Sequence, residues 1–557
     1  MQKKEQWQWQ IPQYFNIGEA CTKLGLDDER LHQDAIIVDD EECGVVSIDY
    51  ANLRKQTARF ANSLSGFDLP LQHRVLIRLP NCLEYPVAFL GALRGGAIAV
   101  PASMMLTAEE LVYLIDDSQA SVIVVDAQIA GQLNEIADSC QSLQHIVLVG
   151  IDDDQLLSRL KKAIPSGLQL HCWDTLLADS SDQFESVKTS ANAPAYLVYT
   201  SGTTGYPKGV LHAHRALLGR MPASRCWFHF SEGSNKQGNE NNQSAENNSS
   251  GKIDRILHSG KFNWTYVLGT ALMDPLFQGK TVVVHEGEQH ADTWPKLIAK
   301  HDCSIFIGVP TLYRQILQKT SYSWLQVPSL KHCMSAGEHL SDEVLAQWKQ
   351  RFALDVYEAV GMSECSYYLS QHKKMPVRPG SAGFPQPGHD VVLLDENMRE
   401  VAVGEEGMLC IPETDPALFI RYWNLEQETQ NSRKGGYFLT GDYAKRDEQG
   451  YIWFLGRKDD IINSFGYRVS PVEVERVIKM HDAISDCAVV GEEIAKDKII
   501  VSAYVILHDG DSVTEEGLIE FCREHLSSYK TPRKVSFLST FPRTRNGKIL
   551  RNKLTSR

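Results

Sequence analysis

The stretch Tyr199-Thr200-Ser201-Gly202-Thr203-Thr204-Gly205-Tyr206-Pro207-Lys208-Gly209 follows an apolar, strand-like run from Ala195 to Val198. It packs three glycines, four Ser/Thr hydroxyls and one lysine into a short loop. Glycines let a backbone approach a ligand closely and adopt positive φ. Consecutive N–H groups and hydroxyls can then ring phosphate oxygens, and a lysine adds a mobile positive charge. Pro207 stands where a Walker A sequence has glycine before its lysine, so this is a different phosphate loop. Taken alone, such a segment also reads as a flexible turn. The strand before it, the embedded lysine and the partners further along favour phosphate.

At 557 residues the chain is too long for one core, which implies several domains or subdomains. Its 43% apolar and 23% charged residues are ordinary for a globular protein. A net charge of −14, with no basic patch or arginine-rich arm, argues against a nucleic-acid partner. Twelve cysteines are scattered without a CxxC pair or metal-ligand spacing, which reads as reduced packing thiols in a cytoplasmic protein. The N-terminus, Met1 to Trp7, lacks the apolar core of a signal peptide. The most hydrophobic span, Tyr85 to Leu106, is interrupted by Arg94 and Pro101 and reads as helix, turn and buried strand, so no integral membrane segment is expected.

Short β-branched runs such as Arg74 to Leu79, Ala120 to Val125 and His145 to Val149 alternate with helical patterns such as Ala108 to Asp117. That alternation predicts layers of parallel α/β structure. Ser231 to Lys252 is almost entirely Asn, Ser, Gly, Glu and Gln, and reads as a disordered insertion. From Gly383 to Gly407 and Gly436 to Gly456 the chain turns rich in glycine and short strands, which predicts a small β unit. The last hundred residues read as a compact α/β module: helix Pro471 to Met480, strands Asp486 to Val490 and Ile499 to Leu507, helix Glu515 to His525. The expected organisation is a large domain over 1–456, a hinge over 457–460 and a small mobile domain over 461–557.

Three more clusters carry chemistry. Gly361-Met362-Ser363-Glu364 follows a strand expected at Leu354 to Tyr357, and a carboxylate beside a hydroxyl suits Mg²⁺ serving a nucleotide phosphate. In Tyr437 to Asp442, Asp442 in a tight turn could accept both ribose hydroxyls, with Arg457 and Arg468 beside it; a turn with surface ion pairs is the plainer alternative. Near the C-terminus, Asn546-Gly547 presents Lys548 on a turn suited to reach a distant site.

Together these motifs resemble the adenylate-forming superfamily of acyl-CoA synthetases, adenylation domains and luciferases. The resemblance covers nearly the whole chain, with motifs in order. Phe262 to Tyr266, Gly308 to Tyr313, Ser335 to Glu338 and Arg421 to Asn424 look most like benzoate-CoA ligases and medium-chain acyl-CoA synthetases.

The resemblance implies an AMP-forming acid–thiol ligase using ATP, Mg²⁺ and coenzyme A. Thr200, Ser201, Gly202, Thr203, Thr204, Gly205 and Lys208 would hold the triphosphate. Gly337, Glu338 and His339 would border the adenine on one side, and Glu358, Ala359, Val360, Gly361, Met362 and Ser363 on the other. Ser363, where relatives carry threonine, and Glu364 would serve phosphate and metal. Asp442 would bind the ribose beside Arg457 and Arg468, and Lys548 would touch the attacking carboxylate and the α-phosphate. Asp459 matches a hinge about which the small domain swings. Gly466, Tyr467, Lys530 and Arg533 would meet coenzyme A, although Phe465 stands where relatives often carry serine. Trp264, Tyr266, Gly308, Val309 and Gly361 would wall the acyl pocket. Gly361 replaces a tryptophan that closes the pocket of acetate-specific relatives, which points to a longer or aromatic acid. An enzyme loading a carrier-protein arm is the alternative within the superfamily.

Overall fold

Runs such as Arg255–His258 and Thr281–Glu286 bury nearly every side chain, as strands covered on both faces must. They belong to a computed structural model that describes residues 7–23, 28–132, 136, 139–151, 157–158, 160, 162, 167–200, 207–231, 253–337, 340–457, 460–464, 467–495, 498–543 and 549–555. All but the first residue of the expected Asn/Ser-rich insertion lies outside these.

Among the described residues a nine-stranded sheet has the spatial order Phe384–Pro385, Leu369–Ser370, Val356–Val360, His332–Ala336, Ile305–Gly308, Arg255–His258, Thr281–Glu286, Asp34–Asp40, Gly44–Asp49. The six from Val356–Val360 to Asp34–Asp40 are parallel. A second sheet of eight strands has the order Arg421–Tyr422, Lys208–Ala213, Pro194–Thr200, Ile98–Pro101, Arg74–Arg78, Ala120–Asp126, His145–Val149, Gln169–Cys172. Its last six strands are parallel, and its first two form an antiparallel edge. One core joins the layers: Val75, Val122 and Tyr196 pack in the same cluster as Ile36, Val282 and Leu272.

Parallel strands need crossovers, and local chemistry sets where the crossover helices begin. Thr107 and Glu110 form a reciprocal capping box at Ala108–Ser118. Pro310 opens Pro310–Lys319 at a first-turn position where its missing N–H costs nothing. Ser341 caps Asp342–Phe352 by accepting from Val344 N. The strand expected at Leu354 to Tyr357 runs instead over Val356–Val360, because parallel pairing with His332–Ala336 continues to Ala359. Glu358, Ala359 and Val360 are therefore sheet residues.

The small β unit is a five-stranded antiparallel sheet that includes Glu406–Pro412, Tyr437–Arg446 and Ile452–Arg457. Beyond it, Ile484–Ala495 and Lys498–Leu507 form an antiparallel pair, with Lys534–Phe537 parallel to the second. Helices Pro471–Ile478 and Glu515–His525 cover this sheet, and Val474, Ile478, Val489, Val501 and Leu518 form a separate core. Polar contacts join this unit to the rest: Arg476 Nη2 donates to Asp342 Oδ2 at 2.9 Å, and Lys445 Nζ to Glu473 Oε1 at 3.0 Å.

Candidate nucleotide and acyl site

Lys208 opens a strand rather than sitting within the loop: Thr200 and Lys208 face each other across the antiparallel pair Pro194–Thr200 and Lys208–Ala213. Ser201, Gly202, Thr203, Thr204 and Gly205 lie outside the described residues. The base of the hairpin is tied down on one side. Tyr113 OH donates to Pro207 O at 3.1 Å, Tyr199 OH to Asp117 Oδ2 at 2.7 Å, and Trp423 Nε1 to Asp117 O at 2.8 Å. Gly209 is small because a Cβ there would sit 2.9 Å from Trp423 Cβ and 3.0 Å from Leu197 Cδ1. The Lys208 ammonium contacts the Glu428 carboxylate, on helix Glu426–Asn431, and lies 5.9 Å from the Tyr422 ring centre.

Ser363 and Glu364 follow the carboxyl end of Val356–Val360, and the hairpin sheet holds them. His212 Nε2 donates to Ser363 O at 2.7 Å, Phe419 N to Glu364 O at 2.8 Å, and Tyr422 OH to Glu364 Oε1 at 2.7 Å. Burial pushes the pKa of His212 down to about 3, so the ring is neutral and its Nε2 carries the proton that the carbonyl accepts. Glu358 turns inward, where its Oε1 accepts from Leu340 N at 2.8 Å. Gly337, which follows strand His332–Ala336, has a φ of 98°, in the left-handed region that glycine favours. Glu338 and His339 lie outside the described residues.

Asp442 does not occupy a tight turn. It lies within Tyr437–Arg446 directly opposite Arg457, with a register shift between Tyr443 and Ala444. Gly441, at φ 76°, supplies the turn-like signal, but pairing on both sides converts it into a kink in a strand. Arg457 Nε donates to Asp442 Oδ1 at 3.2 Å. Burial opposes the charge on Arg457, yet the Asp442 carboxylate outweighs it and holds the guanidinium's pKa above its ordinary value. Strands Ile462–Ser464 and Tyr467–Val469 pair with Arg468 opposite Asn463. The side chains of Tyr467 and Arg468, and all of Asp459, Phe465 and Gly466, lie outside the described residues.

Lys530 does not stand free for phosphate. Its Nζ donates to Glu473 Oε2 at 2.6 Å, and Glu473 also receives Lys445. Arg533 is exposed, and its backbone N–H donates to Val501 O at 2.8 Å. Lys548 lies outside the described residues, although Arg543 and Ile549, which flank it, form a bridge. Arg543 is anchored on Asp486 Oδ2 at 2.6 Å.

Trp264 and Tyr266, two of the residues expected to wall the acyl pocket, belong to an aromatic group. The ring centre of Tyr266 lies 5.4 Å from that of Trp264, 6.3 Å from Trp227 and 5.1 Å from His258; Trp227 is 5.0 Å from Tyr367. Gly308 and Val309 end the strand neighbouring His258 and lead into Pro310–Lys319. Gly361 needs reinterpretation. A Cβ there would lie 2.1 Å from Tyr367 N, so this backbone path passes too close to the Tyr367 main chain for any residue but glycine. Tyr367, at φ 24°, reaches from that backbone into the core, where its hydroxyl bonds the Asp274 carboxylate. Asp274 also accepts from Arg220 Nε at 2.9 Å, and Arg220 Nη1 donates to Tyr196 OH at 3.2 Å. Tyr196 stacks on His212 at 4.7 Å and 12°, closing a buried chain from Tyr367 to the Ser363 carbonyl. Residues 268–273, next to Asp274, form a π-helical turn, a form often found at functional sites. No motif flags Glu428, His212, Arg220 or Asp274, and the Arg421 to Asn424 segment gives Tyr422 no role; each is defined by contacts across the fold.

Two mainly parallel α/β layers, with the antiparallel pair Pro194–Thr200 and Lys208–Ala213 in one of them, and a small C-terminal α/β unit give the fold of an adenylate-forming enzyme. The chain belongs to the AMP-binding enzyme family: residues 28–423 match the model of that family, and residues 473–548 match that of the AMP-binding enzyme C-terminal domain. The mitochondrial acyl-coenzyme A synthetase ACSM3 of Mus musculus is 30% identical over 99% of this chain and 92% of its own. An anthranilate CoA ligase, AuaEII, solved with anthranoyl-AMP, superposes with a TM-score of 0.83 at 25% identity, covering 98% of both chains. The benzoate CoA ligase of Burkholderia xenovorans LB400 superposes with a TM-score of 0.81 at 27% identity, covering 97% of this chain and 100% of that one. Among the described residues no helix is long and apolar enough to cross a membrane, and no group of three or more His, Cys, Asp or Glu could hold a metal ion.

Proposed function

We propose that this chain is an ATP-dependent, AMP-forming acid–coenzyme A ligase whose acid is benzoate-like or of medium chain length. The observation that carries the reading is the convergence of Lys208, Ser363 and Glu364, pinned by His212 and Tyr422 at the mouth of the phosphate-loop hairpin. The relatives' acyl-CoA and benzoate ligase activities support it.

A carboxylate is a poor acyl donor because its leaving group would be oxide. Attack of a carboxylate oxygen on the α-phosphorus of ATP forms a C–O–P linkage and expels pyrophosphate. The coenzyme A sulfur then attacks the acyl carbon, forms the thioester and releases AMP. In this reading Thr200 to Gly205 and Lys208 hold the triphosphate, Gly337 to His339 and Glu358 to Ser363 border the adenine, and Asp442 takes the ribose with Arg457 and Arg468 beside it. Mg²⁺ bound at Glu364 and Ser363 together with the phosphates would neutralise phosphate charge, and one carboxylate plus substrate phosphates suffices for that ion. Lys548 offsets the repulsion between the two reacting anions.

The two steps need different groups at one pocket. A C-terminal domain turning about Asp459 would supply Lys548 for the first step, then Gly466 and Tyr467 for the second, with Lys530 and Arg533 near the coenzyme A phosphates. Its separate core and its polar contacts with the large domain support such a motion. For Lys530 it requires exchange of Glu473 for phosphate. All twelve cysteines are free thiols, which supports a reducing compartment and a cytoplasmic placement.

The test is AMP release across a panel of aromatic and straight-chain acids with coenzyme A, plus acid-dependent exchange of pyrophosphate into ATP. Lys548→Ala should abolish exchange, by a factor on the order of 10²–10³ or more, while sparing thioester formation from preformed acyl-adenylate. Normal exchange in that variant refutes the role of Lys548; no AMP release with any acid refutes the ligase reading.

A further inference from the structure

Strand Arg255–His258 is central in the nine-stranded sheet, and His258 ends it at the carboxyl edge, where parallel sheets open onto their ligands. His258 pairs with Ile307 and shares its face of the sheet, directed at the cluster that holds Trp227, Met334 and Tyr266. The ring is 1% exposed. Its Nδ1 accepts from Gly260 N–H at 2.9 Å, which leaves the proton on Nε2. Burial pushes its pKa down to about 3, so it remains neutral and acts through Nε2 as a donor only. That N–H has no partner among the described residues.

Tyr266 repeats the pattern 5.1 Å away, its ring set edge-on to His258 at 69°. The ring is half-buried, yet its hydroxyl is fully sequestered and has no partner among the described residues. The neighbouring polar aromatics are satisfied: Trp227 Nε1 donates to Tyr357 O at 2.9 Å, and Tyr313 OH to Met334 O at 2.8 Å. More than nine in ten buried polar groups find partners in folded proteins. Other buried polar atoms of the described residues also lack partners, but these two donors lie side by side against one aromatic cluster, where a single acceptor could meet both.

We propose that the acid taken by this pocket carries an uncharged oxygen acceptor, a hydroxyl, ether or ketone on its ring or chain, that receives hydrogen bonds from His258 Nε2 and Tyr266 OH. This rests on the ligase reading above and narrows its substrate class. A purely hydrocarbon acid would leave both donors buried and unmet, and a site built to bond a polar group rejects analogues that lack it far more strongly than an apolar pocket rejects a missing methylene.

The experiment measures kcat/KM for AMP release with matched acids: benzoate against its 3- and 4-hydroxy and 4-methoxy derivatives, and octanoate against 7-hydroxy- and 7-oxo-octanoate. In at least one series an acceptor-bearing acid should exceed its parent ten- to hundredfold. Tyr266→Phe and His258→Phe should each shrink that ratio about tenfold. His258 is deep in the sheet and its variant can fail to fold, so Tyr266→Phe, which removes a single oxygen, decides alone in that case. Preference for the plain acid in both series, or an unchanged ratio in Tyr266→Phe, overturns the proposal. AMP release that ignores the acceptor sinks this inference and leaves the ligase reading standing; no release from any acid sinks both.

Discussion

The hydroxyl of Tyr422 lies 2.7 Å from Glu364 Oε1 and donates to it, joining the edge strand Arg421–Tyr422 to the carboxylate that follows Val356–Val360. The two residues come from opposite sheets. The bond between them orients one carboxylate oxygen.

Tyr422→Phe removes that bond while keeping the ring beside Phe419, 4.8 Å centre to centre. A hydrogen bond to a charged group contributes about 1.5–3 kcal/mol, of which substrate binding would feel a part. The apparent KM for Mg·ATP should rise about three- to tenfold with little change in melting temperature. Steady-state titration of Mg·ATP checks this; an unchanged KM would show that Tyr422 does not orient the carboxylate.

Lys208 contacts the Glu428 carboxylate, and both side chains are partly exposed, at 27% and 39%. Such pairs contribute only about 0.2–1 kcal/mol, so arriving phosphates can displace Glu428. Glu428→Gln should therefore lower KM for ATP by about two- to fivefold. A rise in KM instead would mean that Glu428 helps to place the lysine.

The Arg220–Asp274 pair is buried, with side chains 2% and 1% exposed. Breaking such a pair from one side costs about 3–5 kcal/mol because the other charge is left unpaired. Arg220→Met should lower stability by that amount in denaturant melts, and Arg220→Met with Asp274→Leu should recover part of the loss. If the double variant is no more stable than the single one, the penalty does not come from the stranded carboxylate.

Four buried histidines, His212, His214, His258 and His332, have pKa values pushed by burial from 6.5 down to about 3. Between those values the unfolded chain binds protons that the folded chain does not. Stability is therefore greatest above about pH 6.5 and falls as pH drops toward 3, by about 1.4 kcal/mol per pH unit for each such group. Urea melts at pH 7.5 and 5.0 measure the slope. His212→Asn keeps a donor for Ser363 O and should shrink the slope by roughly one proton's worth; an identical slope contradicts the assignment.

How much could be read in advance differs from element to element. Helix Glu515–His525 lies where its pattern put it, because Thr514 caps it locally and its apolar residues repeat at helical spacing. The expected strands at Ala120 to Val125 and His145 to Val149 are found with nearly the same bounds for the same reason: continuous β-branched runs suit two-sided burial. Asp442 was read as a turn residue because glycine precedes it, and neither partner strand is visible from that local pattern. Nor does the local pattern at Gly361 show that the Tyr367 main chain, six residues on, folds back against it.

Local chemistry along the chain thus specifies the α/β layering and the helix starts, since these depend on neighbours within a few residues. Which groups meet the motif residues is a matter of the folded chain: Tyr422 reaches Glu364 across 58 positions, His212 reaches Ser363 across 151, and Lys208 reaches Glu428 across 220. Such contacts have no signature at any fixed spacing. They exist because a shared core joins the two sheets, and that packing is set by the whole hydrophobic core rather than by any one segment.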